Sequence, residues 1–232
     1  MCRLSCITLA AIVAAAGSIA FTQPPAKDPK AAKPAAPAQP ANKDAKPAGQ
    51  PEMSEQDQKD MQCMMEAATP GEMHKWLAKG VGTWTGKNKM WMKEGAPPIE
   101  SECTDTVTAI MDGRFIKCEF GGDMMGMPFK GGSVTGYDNT SKKFQSTWID
   151  NMGTGMMIGT GELSSDQKTL TWKFEYTCPI AKKVVVMRQI EKHTSDNAFT
   201  LEMWGPDPHT GKEFKCMEIA FTRKAAAANA AN

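Results

Sequence analysis

The pair Asp112-Gly113, set between two β-rich runs, constrains this chain more than any other feature. Both central residues of a tight type I′ hairpin turn need positive φ, which Asp and Gly accept at low cost. A two-residue loop there sets Met111 opposite Arg114, and the register then pairs Ala109 with Ile116, Val107 with Cys118 and Asp105 with Phe120. Side chains alternate along a strand, so these pairs share one face, and it is mostly apolar. The other face carries Glu102, Thr104, Thr106, Thr108, Lys117 and Glu119, with Ile110 and Phe115 as exceptions. One dry and one wet face marks an antiparallel sheet at a protein surface. The stretch 82–122 that contains the hairpin reads as three such strands.

The same rhythm continues almost to the C-terminus. Further strands are expected at 127–137, 143–150, 154–163, 168–177, 183–192, 198–204 and 213–222, with Gly, Pro, Asn, Asp and Ser clusters between them. That makes about nine or ten strands. Their even spacing and short turns predict a mainly β fold, an antiparallel up-and-down barrel. Leu170/Trp172/Phe174/Tyr176 and Phe199/Leu201/Met203 are its candidate inner faces. Short helices precede it. Residues 53–68 carry Met61, Met64, Met65 and Ala68 at helical spacing behind a Ser54 cap. A second helix is expected to open with Thr69 as N-cap, Pro70 at its first position and Glu72 completing a capping box.

Residues 1–20 read as a secretory signal peptide. Arg3 supplies the positive charge, 7–16 the apolar run, and Ser18 and Ala20 a cleavage site before Phe21. The apolar run is too short to span a bilayer comfortably, so a secreted or periplasmic protein that does not span the membrane is expected. Residues 21–52 are rich in Pro, Ala and Lys without a periodic apolar face, the pattern of a disordered linker. A helical lead-in plus barrel follows at 53–224, then a disordered tail at 225–232. A net charge of +1 gives no electrostatic case for nucleic acid. Cleavage would remove Cys2 and Cys6 and leave Cys63, Cys103, Cys118, Cys178 and Cys216, an odd set with at least one thiol unpaired within the chain. The hairpin register puts Cys118 opposite Val107, four residues along from Cys103, or roughly 13 Å, too far for a disulfide. Neither the remaining pairing nor an oligomeric state follows from the sequence.

The segments HKWLAKGVGTWTG, DGRF, DMMGMPFKGGSVTGYDN, STWIDNMGTG and GKEFKCMEIAFTRK resemble the bacterial domain of unknown function 1579 family, over about Thr69 to Lys224. The resemblance implies a calycin-like (lipocalin-like) barrel and no particular activity, since fold analogy does not carry function.

Chemistry is sparse. Trp84, Trp148, Trp172 and Tyr137 are candidates to line an apolar ligand cavity, although side chains also simply fill small barrels. Asp150 shares a strand face with Trp148. Arg188 alternates with Val184, Val186 and Ile190 and is expected to point inward. Buried charges need partners, so Asp150 and Arg188 form a candidate pair, as a structural ion pair or as the polar end of a ligand site. The 18 methionines and the thiols raise soft Cu(I) ligation, against the simpler role of adaptable core filler. His74, His193 and His209 have no zinc-ligand spacing, and a haem would need an inward histidine, whereas His193 is expected at an exposed strand end. No nucleophile-elbow, P-loop, Rossmann or HExxH motif occurs. The expectation is a non-catalytic binding module for a small, largely apolar ligand, without a cofactor. The alternatives are a hydrolase-like enzyme centred on Asp150 in the barrel interior, and then a copper-binding envelope protein.

Overall fold

The computed structural model describes residues 53–225. The expected signal peptide at 1–20, the expected linker at 21–52 and residues 226–232 of the expected tail lie outside the described residues. The chain divides between Gln62 and Cys63, within the first helix, and the barrel lies in the unit that holds Cys63 and the residues after it. Helix α1 (Glu55–Ala68) buries none of its residues. Ser54 caps it, its Oγ accepting from the Asp57 backbone N–H at 3.2 Å. Helix α2 (Glu72–Ala78) follows. Its N-cap is Gly71 rather than Thr69: His74 sits at the third position and its Nδ1 accepts the Gly71 N–H at 3.0 Å. The Thr69 hydroxyl turns back to the Met65 carbonyl at the end of α1 instead. An imidazole does here what Glu72 was expected to do.

Ten antiparallel strands then form a closed barrel in simple up-and-down order. They are β1 (Gly82–Met90), β2 (Ile99–Ile110), β3 (Phe115–Met124), β4 (Met127–Asp138), β5 (Lys143–Asp150), β6 (Met157–Leu163), β7 (Thr169–Cys178), β8 (Lys183–Ser195), β9 (Ala198–Pro206) and β10 (Glu213–Arg223). The barrel closes where β1 pairs with β10, Trp84 lying opposite Arg223. Closure removes the unpaired edges that an open sheet of this size would leave.

The β2–β3 hairpin has the expected register: Ala109 faces Ile116, Val107 faces Cys118 and Asp105 faces Phe120. Met111, Asp112 and Gly113 all adopt positive φ, at 51°, 56° and 80°. All five described cysteines are free. Phe144 and Leu170, each 1 % exposed, anchor the core beneath α2, with Leu77, Trp172 and Phe174 against them. Each such burial is worth about 1.5–3 kcal/mol. Two glycines of β6 make room for β7: a Cβ at Gly159 would lie 2.4 Å from the Phe174 ring and one at Gly161 2.7 Å from Trp172. The rings occupy that space.

A Cβ at Gly113 would meet no atom within 4 Å, while its φ of +80° resists a side chain. Gly113→Val is expected to cost about 1–3 kcal/mol through strain at positive φ. Chemical denaturation measures this, and an unchanged midpoint would mean that the turn is not held in that conformation.

Candidate functional site

The strands enclose a cavity of about 660 Å³. Phe120 of β3, Trp148 of β5, Trp172 and Phe174 of β7, Met187 of β8 and Leu201 of β9 form much of its wall. Alternation puts these residues inside, and the aromatic residues contribute large apolar faces. Trp76 and Leu77 of α2 line one end. Trp76 is pinned there by its Nε1 donating to the Gln167 carbonyl (3.2 Å) and by edge contacts with Phe144 and His193. Met124, Phe129, Trp148, Asp150 and Met152 line the opposite end, where Phe129 stacks on Trp148.

Within these apolar walls sits a small polar set. Glu191 of β8 faces the cavity, and its Oε1 accepts from Trp172 Nε1 at 2.8 Å and from Gln189 Nε2 at 3.0 Å. Its Oε2 lies 3.9 Å from His193 Nε2, a buried nitrogen with no hydrogen-bond partner. Burial pushes the Glu191 carboxyl up from 4.5 to about 7; the two donated hydrogen bonds work against that, and the Asp105 charge adds to it. Asp105 of β2 also lines the cavity and takes the Cys118 thiol hydrogen bond at 2.7 Å. Burial raises the Asp105 carboxyl and the thiol bond partly offsets this. Burial, and then the Asp105 charge, raise the Cys118 thiol and keep it protonated. Burial and then the Lys79 charge lower His193, which is therefore neutral near pH 7.

Of the residues expected from sequence, Trp84, Trp148, Asp150 and Trp172 line the cavity. Tyr137 instead packs on Phe144 and His74 in the core under α2. Arg188 lies on the outer face, bonded to Glu213 at 2.9 Å and held 5.0 Å above the Trp204 ring. The expected Asp150–Arg188 pair therefore does not form. Asp150 accepts from Trp148 Nε1 and from the Met152 backbone N–H, both at 2.9 Å. The strand that misled is β8. Val184 and Val186 face outward, Val184 at 64 % exposure, while Met187, Gln189, Glu191 and His193 face in. His193 is not at an exposed end, because β8 runs on to Ser195 and the imidazole packs between Trp76 and Phe199. Sequence reasoning missed Glu191 and Asp105. Both could have been found: Asp105 shares the face of Phe120 in the hairpin register, and Glu191 takes its phase from the inward Trp172, which pairs with Gln189.

Among the described residues no group of three or more His, Cys, Asp or Glu side chains is arranged to hold a metal ion. No described helix is long and apolar enough to cross a membrane.

An up-and-down antiparallel barrel around a lined cavity defines a calycin-like protein. The chain belongs to the family described as protein of unknown function (DUF1579), whose model matches residues 69–223. Among solved structures it is similar to the S-type phycobiliprotein lyase CPES from Guillardia theta, with 10 % identity, 70 % of this chain and 97 % of that chain covered, and a TM-score of 0.48. No curated protein matches the chain.

The Glu191 shift has a consequence for stability. A carboxyl whose folded value lies above its unfolded value binds more protons in the folded state, so its stabilisation is full below pH 4.5 and is lost as pH rises through about 7. Asp105 acts in the same direction, so a residual slope remains without Glu191. Glu191→Gln should remove about 3 kcal/mol of pH dependence across that window. Denaturant titrations of the two proteins from pH 4.5 to 8 measure it. Parallel curves for wild type and variant would show that Glu191 titrates in its ordinary range.

Proposed function

We propose that this is an exported, non-catalytic barrel that binds a small, largely apolar molecule in its interior. The carrying observation is the cavity itself: about 660 Å³, walled chiefly by aromatic, Leu and Met side chains with a few polar groups among them. Ligand sites of roughly 300–1,000 Å³ with this kind of lining are typical of small-molecule binders. The signal-peptide reading of residues 1–20 supports export. An enzyme centred on Asp150 has less support, since both of its carboxylate oxygens are occupied by Trp148 and Met152. Copper ligation has less support too, because Met124 lines the cavity while Met125 sits in the adjoining turn, exposed.

Protein isolated from the exported fraction of its own host should begin at Phe21 and, by native mass spectrometry, retain a small molecule. Stripped of it, the protein should bind the neutral fluorophore N-phenyl-1-naphthylamine. Leu201→Trp, which fills the cavity from β9, should weaken that binding at least tenfold without lowering the melting temperature by more than a few degrees. Equal affinity in wild type and variant would place the fluorophore on the surface and contradict an interior site.

A further inference from the structure

The polar groups of the cavity are strongly biased toward accepting. Asp105 and Glu191 present carboxyl groups to it from β2 and β8. Among the described residues neither has a Lys or Arg ion-pair partner. Asn88 gives its amide N–H to the Ser101 hydroxyl, which leaves Asn88 Oδ1 buried on the cavity wall without a donor. His193 Nε2 is likewise buried and unpaired, facing Glu191 Oε2 across 3.9 Å. Cys103, Cys118 and His193 are the titratable groups set beside the two acids. Asp150 lines the end of the cavity away from α2, and Lys79 just after α2, Lys168 and Arg223 of β10 are the cations that line it. The cations belong to the end closed by α2. Arg223 spends its N–H groups on the carbonyls of Val81, Lys79 and Asp196 and on the Asn197 side chain. Lys79 is placed beside His193, whose proton affinity it lowers.

Two carboxyl groups that share an apolar cavity with no Lys or Arg paired to either form an incomplete electrostatic site. Buried charge is costly unless it is paired, and burial raises both carboxyl groups above their ordinary range. A protonated amine placed between them would supply the missing charge and several N–H donors at once. We propose that the ligand of this barrel is an apolar molecule bearing a basic nitrogen, its ammonium group held by Asp105 and Glu191 and its hydrocarbon body by the aromatic wall. This rests on the binding reading above and adds the chemistry of the head group. It sets the barrel apart from a carrier of fatty acids, which would present a cation to a carboxylate.

The test uses decylamine, decanol and decanoate, three molecules with the same body, as competitors of N-phenyl-1-naphthylamine at pH 7.5. Decylamine should compete at least tenfold better than decanol, with decanoate the weakest. In Asp105→Asn/Glu191→Gln the ratio of amine to alcohol affinity should fall to about one, and each single variant should lower it in part. The single variants decide the matter should the double variant not fold, as judged by its circular dichroism melt. Decanoate competing best, or an amine preference that survives both substitutions, would overturn the proposal while leaving interior binding intact. Failure of all three to compete would overturn the binding reading and this proposal with it. Calorimetry offers a second readout. A cation favours the ionised acid, so decylamine binding at pH 6.5 should release protons, seen as a heat that changes between two buffers of different ionisation enthalpy. Proton uptake, or a heat independent of buffer, would contradict a carboxyl-held ammonium.

Discussion

The barrel depends on its seam. β1 is the strand that meets both its sequence neighbour β2 and the chain's last strand, β10. At that seam the Arg223 guanidinium lies 4.1 Å above the Trp84 ring and donates to the carbonyls of Lys79 and Val81, each at 2.6 Å, and of Asp196 at 3.0 Å. Trp84 in turn donates its indole N–H to the Gly80 carbonyl at 2.9 Å. One side chain thus ties the end of α2, the start of β1 and the β8–β9 turn to the end of β10. The contacts are tight enough to dictate sequence nearby. Gly82 has φ +139°, and a Cβ there would come within 2.7 Å of the Arg223 guanidinium. A cation over an aromatic face, with its N–H groups directed at carbonyl oxygens, is stable where a bare charge would not be.

The seam also explains the electrostatic character of the interior. Arg223 lines the cavity, yet its hydrogen bonds to backbone commit it to structure. The acids deeper inside have only neutral donors: an indole and an amide for Glu191, a thiol for Asp105. Both are raised, with burial as the first cause. The result is a cavity apolar in area and acidic in its few polar contacts.

Turn chemistry made the β2–β3 hairpin legible, because Asp112-Gly113 allowed one register, and that register placed Val107, Cys118 and Phe120 inside. The meander and most strand limits followed from turn clusters and strand alternation. Two kinds of feature escaped. The α2 cap did, because Gly71 and His74 satisfy the helix start in a way that residue preference does not favour. The phase of β8 did, because the hydrophobic alternation of Val184, Val186 and Ile190 belongs to the outer face. Hydrophobic patterning assumes a dry interior, and in a barrel that keeps a cavity the polar residues of one strand can be the inward ones. Arg188 was therefore assigned inward and Glu191 overlooked, when pairing with β7 reverses both.

The most direct test of an acid-centred interior cavity is a high-resolution crystal structure of the protein purified from its own host, ligand retained. The account predicts density between Trp172 and Phe120, with its polar end within hydrogen-bonding distance of the carboxyl groups of Asp105 and Glu191. An interior filled by protein side chains, or a ligand whose polar end lies instead at Lys79 and Arg223, would contradict it.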